Sequence, residues 1–133
     1  MYVVFLVNAL FRVRPNDTVV VQGYTTYLNC SIRGMPDDIR WFHYALGARP
    51  DQNTEIYTNV ELVPTHAGRI GVGKTSGASA NLIFSPAKFS DAGTYACIED
   101  SSSRNTSAQL IVLGKHSPTS TLSLKDAGYY MYM

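Results

Sequence analysis

The sequence has little charge and no block of one sign. Its 133 residues carry 11 Lys and Arg against 10 Asp and Glu, for a formal net charge of +1, and charged residues make up 16% of the chain. A nucleic-acid-binding surface needs clustered Lys and Arg to neutralise phosphates, and no such cluster is present in the sequence. We therefore expect no nucleic-acid partner.

Metal-ligand motifs and membrane-spanning segments are also missing. The chain contains no CxxC pair, and its three histidines, His43, His66 and His116, are far apart in sequence, so no metal site is predicted. The apolar opening, residues 3–7, is too short to span a bilayer and lacks the basic region of a signal peptide. We expect no direct membrane insertion, and we interpret Met1 as the start of an expressed fragment.

No long stretch has helical periodicity, and short apolar segments alternate with turn residues instead. Nine Tyr and five Phe accompany many Val, Ile and Thr, whose side chains suit a pleated surface. The predicted strands are residues 10–13, 18–21, 26–32, 39–44, 55–58, 69–72, 80–84, 94–98 and 108–113. This succession indicates an all-β sandwich or barrel.

The chain is long enough for one domain. We assign this domain to residues 10–113, with a kink in its first strand at Pro15, which cannot donate to a strand ladder. Residues 1–9 are expected to be an N-terminal extension or part of the first strand. Residues 114–133 are Ser/Thr-rich and non-periodic, which predicts a linker or a disordered, cloning-derived tail.

Two cysteines, Cys30 and Cys97, are 67 positions apart, and spacing alone leaves free thiols, a metal half-site or a disulfide open. Strand alternation points Cys30 into the core. Three N-x-[ST] sequons, at Asn16, Asn29 and Asn105, are glycosylation signals that carry meaning only in a secreted chain. The sequons favour an oxidising, extracellular compartment.

The segment from Leu82 to Cys97, LIFSPAKFSDAGTYAC, resembles the corner between strands E and F of an immunoglobulin domain. In that family, a tyrosine two residues before the second cysteine closes a "tyrosine corner", and a tryptophan on strand C packs on the disulfide. Tyr95 and Trp41 match those residues in type and order. The resemblance implies a Greek-key sandwich of two antiparallel sheets, joined by a disulfide between Cys30 and Cys97.

Spacing within the resemblance indicates the variable-type (V-set) branch. Trp41 and Cys97 are 56 positions apart, which leaves room for the extra strands C′ and C″. Arg69 stands where V-set domains keep an arginine that pairs with the corner aspartate, here Asp91. Residues 98–113 lack the Phe-Gly-x-Gly bulge of rearranged antigen receptors and are similar to the ending of I-set domains. The core signature that the resemblance implies is Trp41, Tyr95, Asp91, Arg69, Gly93 and Leu82.

The chain thus resembles a V/I intermediate from a germline-encoded receptor, a class that includes invertebrate receptors, adhesion molecules and receptor kinases.

Residues 68–75 also match the phosphate-loop pattern GxxxxGK[ST]. That loop requires a helix N-terminus after its strand, whereas here the following residues lead into another strand. Because no serine, cysteine or carboxylate accompanies a histidine at a recognisable catalytic spacing, we predict neither an enzyme nor a cofactor.

Strand alternation predicts a binding face. If Trp41 and Cys97 point inward, their neighbours on strands C, F and G point outward and form an apolar patch. We name the outer surface of these three strands the C-F-G face. The predicted patch consists of Phe42, Tyr44, Ala96, Ile98 and Ile111.

The sequons bear on the use of this face. Glycans on Asn16 and Asn29 are expected to shield the opposite sheet and leave the C-F-G face bare. Asn105 is expected in the F-G turn, where a glycan would crowd the loops.

Our first functional hypothesis is an adhesion or ligand-binding module of a cell-surface receptor ectodomain, which engages a protein ligand or a second copy through the C-F-G face. The second is a soluble immune-recognition molecule that binds microbial or carbohydrate ligands through loops 33–38, 59–66 and 99–105. The third is a structural spacer in a multi-domain array. All three place the domain outside the cell.

Overall fold

The computed structural model describes residues 10–35, 38–49, 51–58, 61–63, 70–74 and 78–114. These residues form short strands and one 3-10 turn, Phe89–Asp91. The strands are β1 Phe11–Val13, β2 Thr18–Val21, β3 Thr26–Leu28, β4 Ser31–Ile32, β5 Ile39–Ala45, β6 Thr54–Thr58, β7 Glu61–Leu62, β8 Ile70–Gly73, β9 Ala78–Ser79, β10 Asn81–Phe84, β11 Gly93–Glu99 and β12 Arg104–Leu113. Predictions for residues 1–9, for the tail from residue 115, and for Arg69, His66 and His116 lie outside the described residues.

The strands form two layers. One is a six-stranded sheet in the order β2-β12-β11-β5-β6-β7, in which β5, β11 and β12 are the predicted strands C, F and G. The short β7 extends this sheet at the position expected for strand C″. The other layer consists of two three-stranded pieces, β1-β4-β9 and β3-β10-β8. The predicted immunoglobulin-like sandwich is confirmed.

The second layer is interrupted where β3 gives way to β4, and a side chain bridges the interruption. The Ala80 amide donates to the Cys30 carbonyl oxygen at 2.9 Å. The Cys30 amide donates to the Asn81 side-chain oxygen Oδ1 at 3.0 Å, in place of a backbone carbonyl. Together the two hydrogen bonds connect the separate pieces across a break in the ladder.

The first strand changes sheets. β1 pairs antiparallel with β4, whereas β2 pairs parallel with β12, so the large sheet contains one parallel pair beside its antiparallel ones. The crossover contains the buried Pro15, and the Asp17 carboxylate accepts a hydrogen bond from the Gln109 amide at 2.8 Å. The predicted kink at Pro15 is therefore a crossover between layers.

The hydrophobic core lies between the layers and follows the alternation predicted for residues 26–30. Leu28, Cys30 and Ile32 are buried, while Tyr27 and Asn29 are exposed on the outer surface of the second layer.

No helix within the described ranges has the length and apolar character needed to cross a bilayer.

The largest difference from the predicted strands is at the start of strand G. It begins at Arg104 rather than at residue 108, because its ladder with β11 continues to the pair Glu99–Arg104. The F-G connection therefore shortens to residues 100–103. The prediction that Asn105 lies in this turn is wrong, because Asn105 pairs with Ile98 inside the sheet. The polar composition of residues 104–107 suggests a loop, but the backbone hydrogen bonds of the hairpin continue through them.

Candidate binding face

A disulfide and a buried tryptophan hold the two layers together. Cys30 is bonded to Cys97, as predicted. Trp41 pairs with Cys97 in the β5–β11 register, is fully buried, and donates its indole N–H to the Ala80 carbonyl oxygen at 2.8 Å. This hydrogen bond reaches the opposite layer at the interruption described above, so the tryptophan also stabilises the irregular part of the second layer.

The tyrosine corner forms at the start of strand F, which is β11. The Tyr95 hydroxyl donates to the Asp91 carbonyl oxygen at 2.5 Å, and the buried Asp91 carboxylate accepts the Lys88 backbone amide at 2.8 Å. Gly93 has a φ of +137°, and a Cβ atom there would overlap the Tyr44 carbonyl oxygen. These contacts fix the start of β11 and hence the register of the C-F-G face.

His43 belongs to the same corner. Its ring stacks on Tyr95 with the ring centroids 4.3 Å apart, and its Nε2 lies 2.9 Å from the Ala92 carbonyl oxygen. Among the described residues, no group of three or more His, Cys, Asp and Glu side chains is placed to hold a metal ion. The stacking on Tyr95 gives His43 a packing role that the sequence pattern did not reveal.

The register of the central strands determines which predicted face residues meet. Ala96 lies opposite Phe42, and Thr94 lies opposite Tyr44. Ile98 lies two positions beyond Ala96 on the same side of the sheet. These side chains form a group on the outer surface of β5 and β11.

Ile111 does not join this group. It is four positions beyond Ser107, the partner of Ala96 on β12, and the Thr94–Gln109 pair separates it from the others. Its neighbour across the parallel pair is Val19 on edge strand β2, whose side chain is 58% exposed. The predicted single patch is therefore divided into a central group and an edge group.

Arg40 covers part of the central group. Its guanidinium lies 4.9 Å from the centre of the Phe42 ring, and it forms salt bridges with Glu55 at 2.7 Å and Asp100 at 3.0 Å. The hydrogen bond that Arg40 donates to Glu55, followed by the one that it donates to Asp100, stabilises the charged guanidinium and raises the pKa of Arg40. Arg40 lies two positions before Phe42 on β5, so strand alternation points it to the same side of the sheet as Phe42 and Tyr44. This spacing could have placed Arg40 on the face from the sequence alone.

An open concavity of about 450 Å³ occupies the middle of the C-F-G face. Tyr44, Ala96 and Ile98 provide its apolar surface, and Thr94 and Ser107 provide hydroxyl groups. We name this feature the C-F-G concavity. Its complete lining is Tyr44, Ala48, Thr94, Ala96, Ile98, Asn105 and Ser107.

The loop end of the sandwich is short and hydrogen-bonded. The Ser101 amide and hydroxyl both donate to the Asp38 carboxylate, at 2.9 and 2.5 Å, and the Asp100 amide donates to the Asp38 carbonyl oxygen at 2.9 Å. The Ser102 hydroxyl donates to the buried Glu99 carboxylate at 2.5 Å. The F-G turn is thus tied to the connection between β4 and β5.

Comparison with protein families identifies this arrangement. Residues 9–112 match the model of the immunoglobulin I-set domain. The chain belongs to the immunoglobulin I-set family. The match covers most of the chain, and I-set is the subtype whose ending the sequence resembles. No curated protein gives a significant match.

The three sequons of the I-set domain lie on different surfaces. Asn29 is exposed on the second layer, as expected. Asn16 is exposed in the crossover linker, next to Asp17, which contacts Gln109 on the large sheet. Asn105 is on the C-F-G face.

Part of the segment that matches the phosphate-loop pattern forms a strand in this I-set domain. β8, Ile70–Gly73, pairs antiparallel with β10. A phosphate loop instead follows a strand of a parallel sheet and leads into a helix. The match of residues 68–75 to that pattern is therefore a coincidence of composition.

Proposed function

We propose that this I-set domain is an extracellular recognition module, part of a cell-surface receptor or adhesion protein, and that it binds a second copy or another protein through the C-F-G face. Its family is common in adhesion and receptor proteins. The Cys30–Cys97 disulfide supports an oxidising compartment.

The observation that carries this proposal is the C-F-G concavity. A recognition site needs an apolar centre that can be desolvated and a polar rim that sets orientation. The concavity has both, since Tyr44, Ala96 and Ile98 lie near the hydroxyls of Thr94 and Ser107. Tyr44 is the best candidate anchor, because the Arg40 guanidinium lies over the ring of Phe42.

The alternative of loop-end recognition has less support. The F-G turn comprises residues 100–103 and is hydrogen-bonded to Asp38, so it offers little adaptable surface. A spacer role predicts a monomer and gives no reason for an open apolar concavity on the central strands.

The test is sedimentation equilibrium of unglycosylated, disulfide-oxidised protein over a wide concentration range. We expect reversible self-association, and we expect Tyr44→Glu to weaken it at least about tenfold, because a buried charge at an interface centre costs more than 1.4 kcal/mol. Tyr27→Glu is the matched control, since Tyr27 is 55% exposed on the opposite layer.

Equal weakening by both substitutions would contradict a specific face. A monomer at every concentration would contradict the self-binding form of the proposal. Far-ultraviolet circular dichroism and thermal unfolding check that both variants retain the fold.

A further inference from the structure

The Asn105 sequon lies on the same surface as the proposed binding site. We propose that N-linked carbohydrate on Asn105 covers the C-F-G concavity and thereby controls whether this face binds protein. This inference rests on the proposed function, because it names the regulation of the same face.

The strand register places the sequon. Asn105 pairs with Ile98, and Ser107, the third residue of the sequon, pairs with Ala96. Residues two positions apart on a strand share a face, and both Asn105 and Ser107 line the concavity. The Asn105 side chain is exposed. A sugar attached to its amide nitrogen would therefore start at the concavity rather than on a distant loop.

The chemistry of the concavity suits a carbohydrate. A sugar ring has apolar faces that pack on aromatic and aliphatic side chains, and its hydroxyls need hydrogen-bond partners. Tyr44 and Ile98 offer apolar contact, and the hydroxyls of Thr94 and Ser107 offer donors and acceptors. The first sugar would occupy the space that a protein partner needs, so the two states exclude each other.

The modification is a group transfer to the side-chain amide. The Asn105 amide nitrogen forms a bond to C1 of the first sugar of a lipid-pyrophosphate-linked oligosaccharide. The bond between C1 and the pyrophosphate oxygen breaks, the amide loses one proton, and the lipid pyrophosphate leaves. The secretory pathway of the host cell supplies the donor and the transferase.

Asn29 provides a matched control. It is also an exposed sequon asparagine, but it lies on the second layer, away from β5, β11 and β12. A glycan there is expected to leave the C-F-G face accessible. Differences between Asn105→Gln and Asn29→Gln therefore report on the position of the carbohydrate and not on its presence.

The first measurement is occupancy. The chain is secreted from eukaryotic cells, treated with an amidase that converts glycosylated Asn to Asp, and digested with trypsin, which releases residues 105–115 because Arg104 and Lys115 flank them. Mass spectrometry is expected to show Asp at position 105 after treatment and a peptide with carbohydrate on Asn105 without it. An unmodified Asn105 would overturn the inference and leave the proposed function standing.

The second measurement is tyrosine nitration at protein concentrations too low for self-association. We expect Tyr44 to be nitrated several-fold more slowly in the secreted wild type than in Asn105→Gln, while Tyr27 reacts equally in both. Asn29→Gln should keep the slow Tyr44 rate. Equal Tyr44 rates in wild type and Asn105→Gln would show that the carbohydrate does not cover the concavity, whatever the domain binds.

The third measurement is sedimentation equilibrium of the same secreted proteins. Asn105→Gln is expected to self-associate at least about tenfold more tightly than the wild type, and addition of Tyr44→Glu should reverse the gain. Occupied Asn105 with a protected Tyr44, but no association in Asn105→Gln, would contradict self-binding and the control of it. If Asn105 is occupied but wild type and Asn105→Gln associate equally, only the proposed control of binding by the carbohydrate is overturned.

Discussion

The buried hydrogen bond of the Tyr95 hydroxyl contributes to the stability of the fold, and removing one oxygen atom tests this contribution. Tyr95 is 1% exposed, and its hydroxyl donates to the Asp91 carbonyl oxygen. Tyr95→Phe removes this donor but keeps the ring, which stacks on His43 and makes an edge contact with Phe84 at a centroid distance of 5.2 Å. The substitution therefore isolates the hydrogen bond from the packing.

Loss of a buried hydrogen-bond donor costs about 1–3 kcal/mol. In a domain of about 100 residues, each kcal/mol lowers Tm by about 4–8 °C. Urea unfolding at equilibrium should show this loss as a lower midpoint with an unchanged slope. The control is Tyr27→Phe, which alters an exposed hydroxyl and should change stability by less than about 0.5 kcal/mol. A Tyr95→Phe effect as small as that of the control would refute the assigned role of the hydroxyl.

Three further outcomes are expected. Asn81→Ala should cost about 1 kcal/mol and speed hydrogen exchange of the Cys30 amide, whereas Asn81→Asp retains the acceptor oxygen and should preserve protection. Gly93→Ala should destabilise by about 2–4 kcal/mol in urea unfolding through overlap and strain, whereas Gly47→Ala, also at positive φ but in open space, should cost only about 1 kcal/mol. Replacing Cys30 and Cys97 by Ala should remove about 4 kcal/mol, because the disulfide closes a long loop, and a loss below about 1 kcal/mol by calorimetry would contradict this.

The C-F-G face illustrates how far local pattern can predict a site. Alternation correctly places Phe42 and Tyr44 outward because a strand has a period of two. It cannot say which residues of neighbouring strands are adjacent, because that depends on the register between strands distant in sequence. The register separates Ile111 from the central group. A long side chain from Arg40 then covers Phe42, which no pattern along one strand reveals.

Asn105 is a single residue for which the local sequence and the strand register give different positions. Its sequence neighbours are polar and resemble a turn, yet the β11–β12 ladder extends past them to Arg104. Backbone hydrogen bonding between strands outweighed local composition. A site expected to crowd the loops is therefore on the surface proposed for binding.

The sequence by itself determined the all-β class of the fold and the inward direction of Cys30, because each depends on short-range spacing and on residue types that suit one environment. Its resemblance to immunoglobulin domains implied the corner around Tyr95. The tertiary structure alone decided the crossover of β2 to the large sheet, the bridge at Asn81 and the composition of the C-F-G concavity. Each of these depends on pairings between segments distant along the chain, and the pairing energies belong to the assembled sheets and not to any one segment.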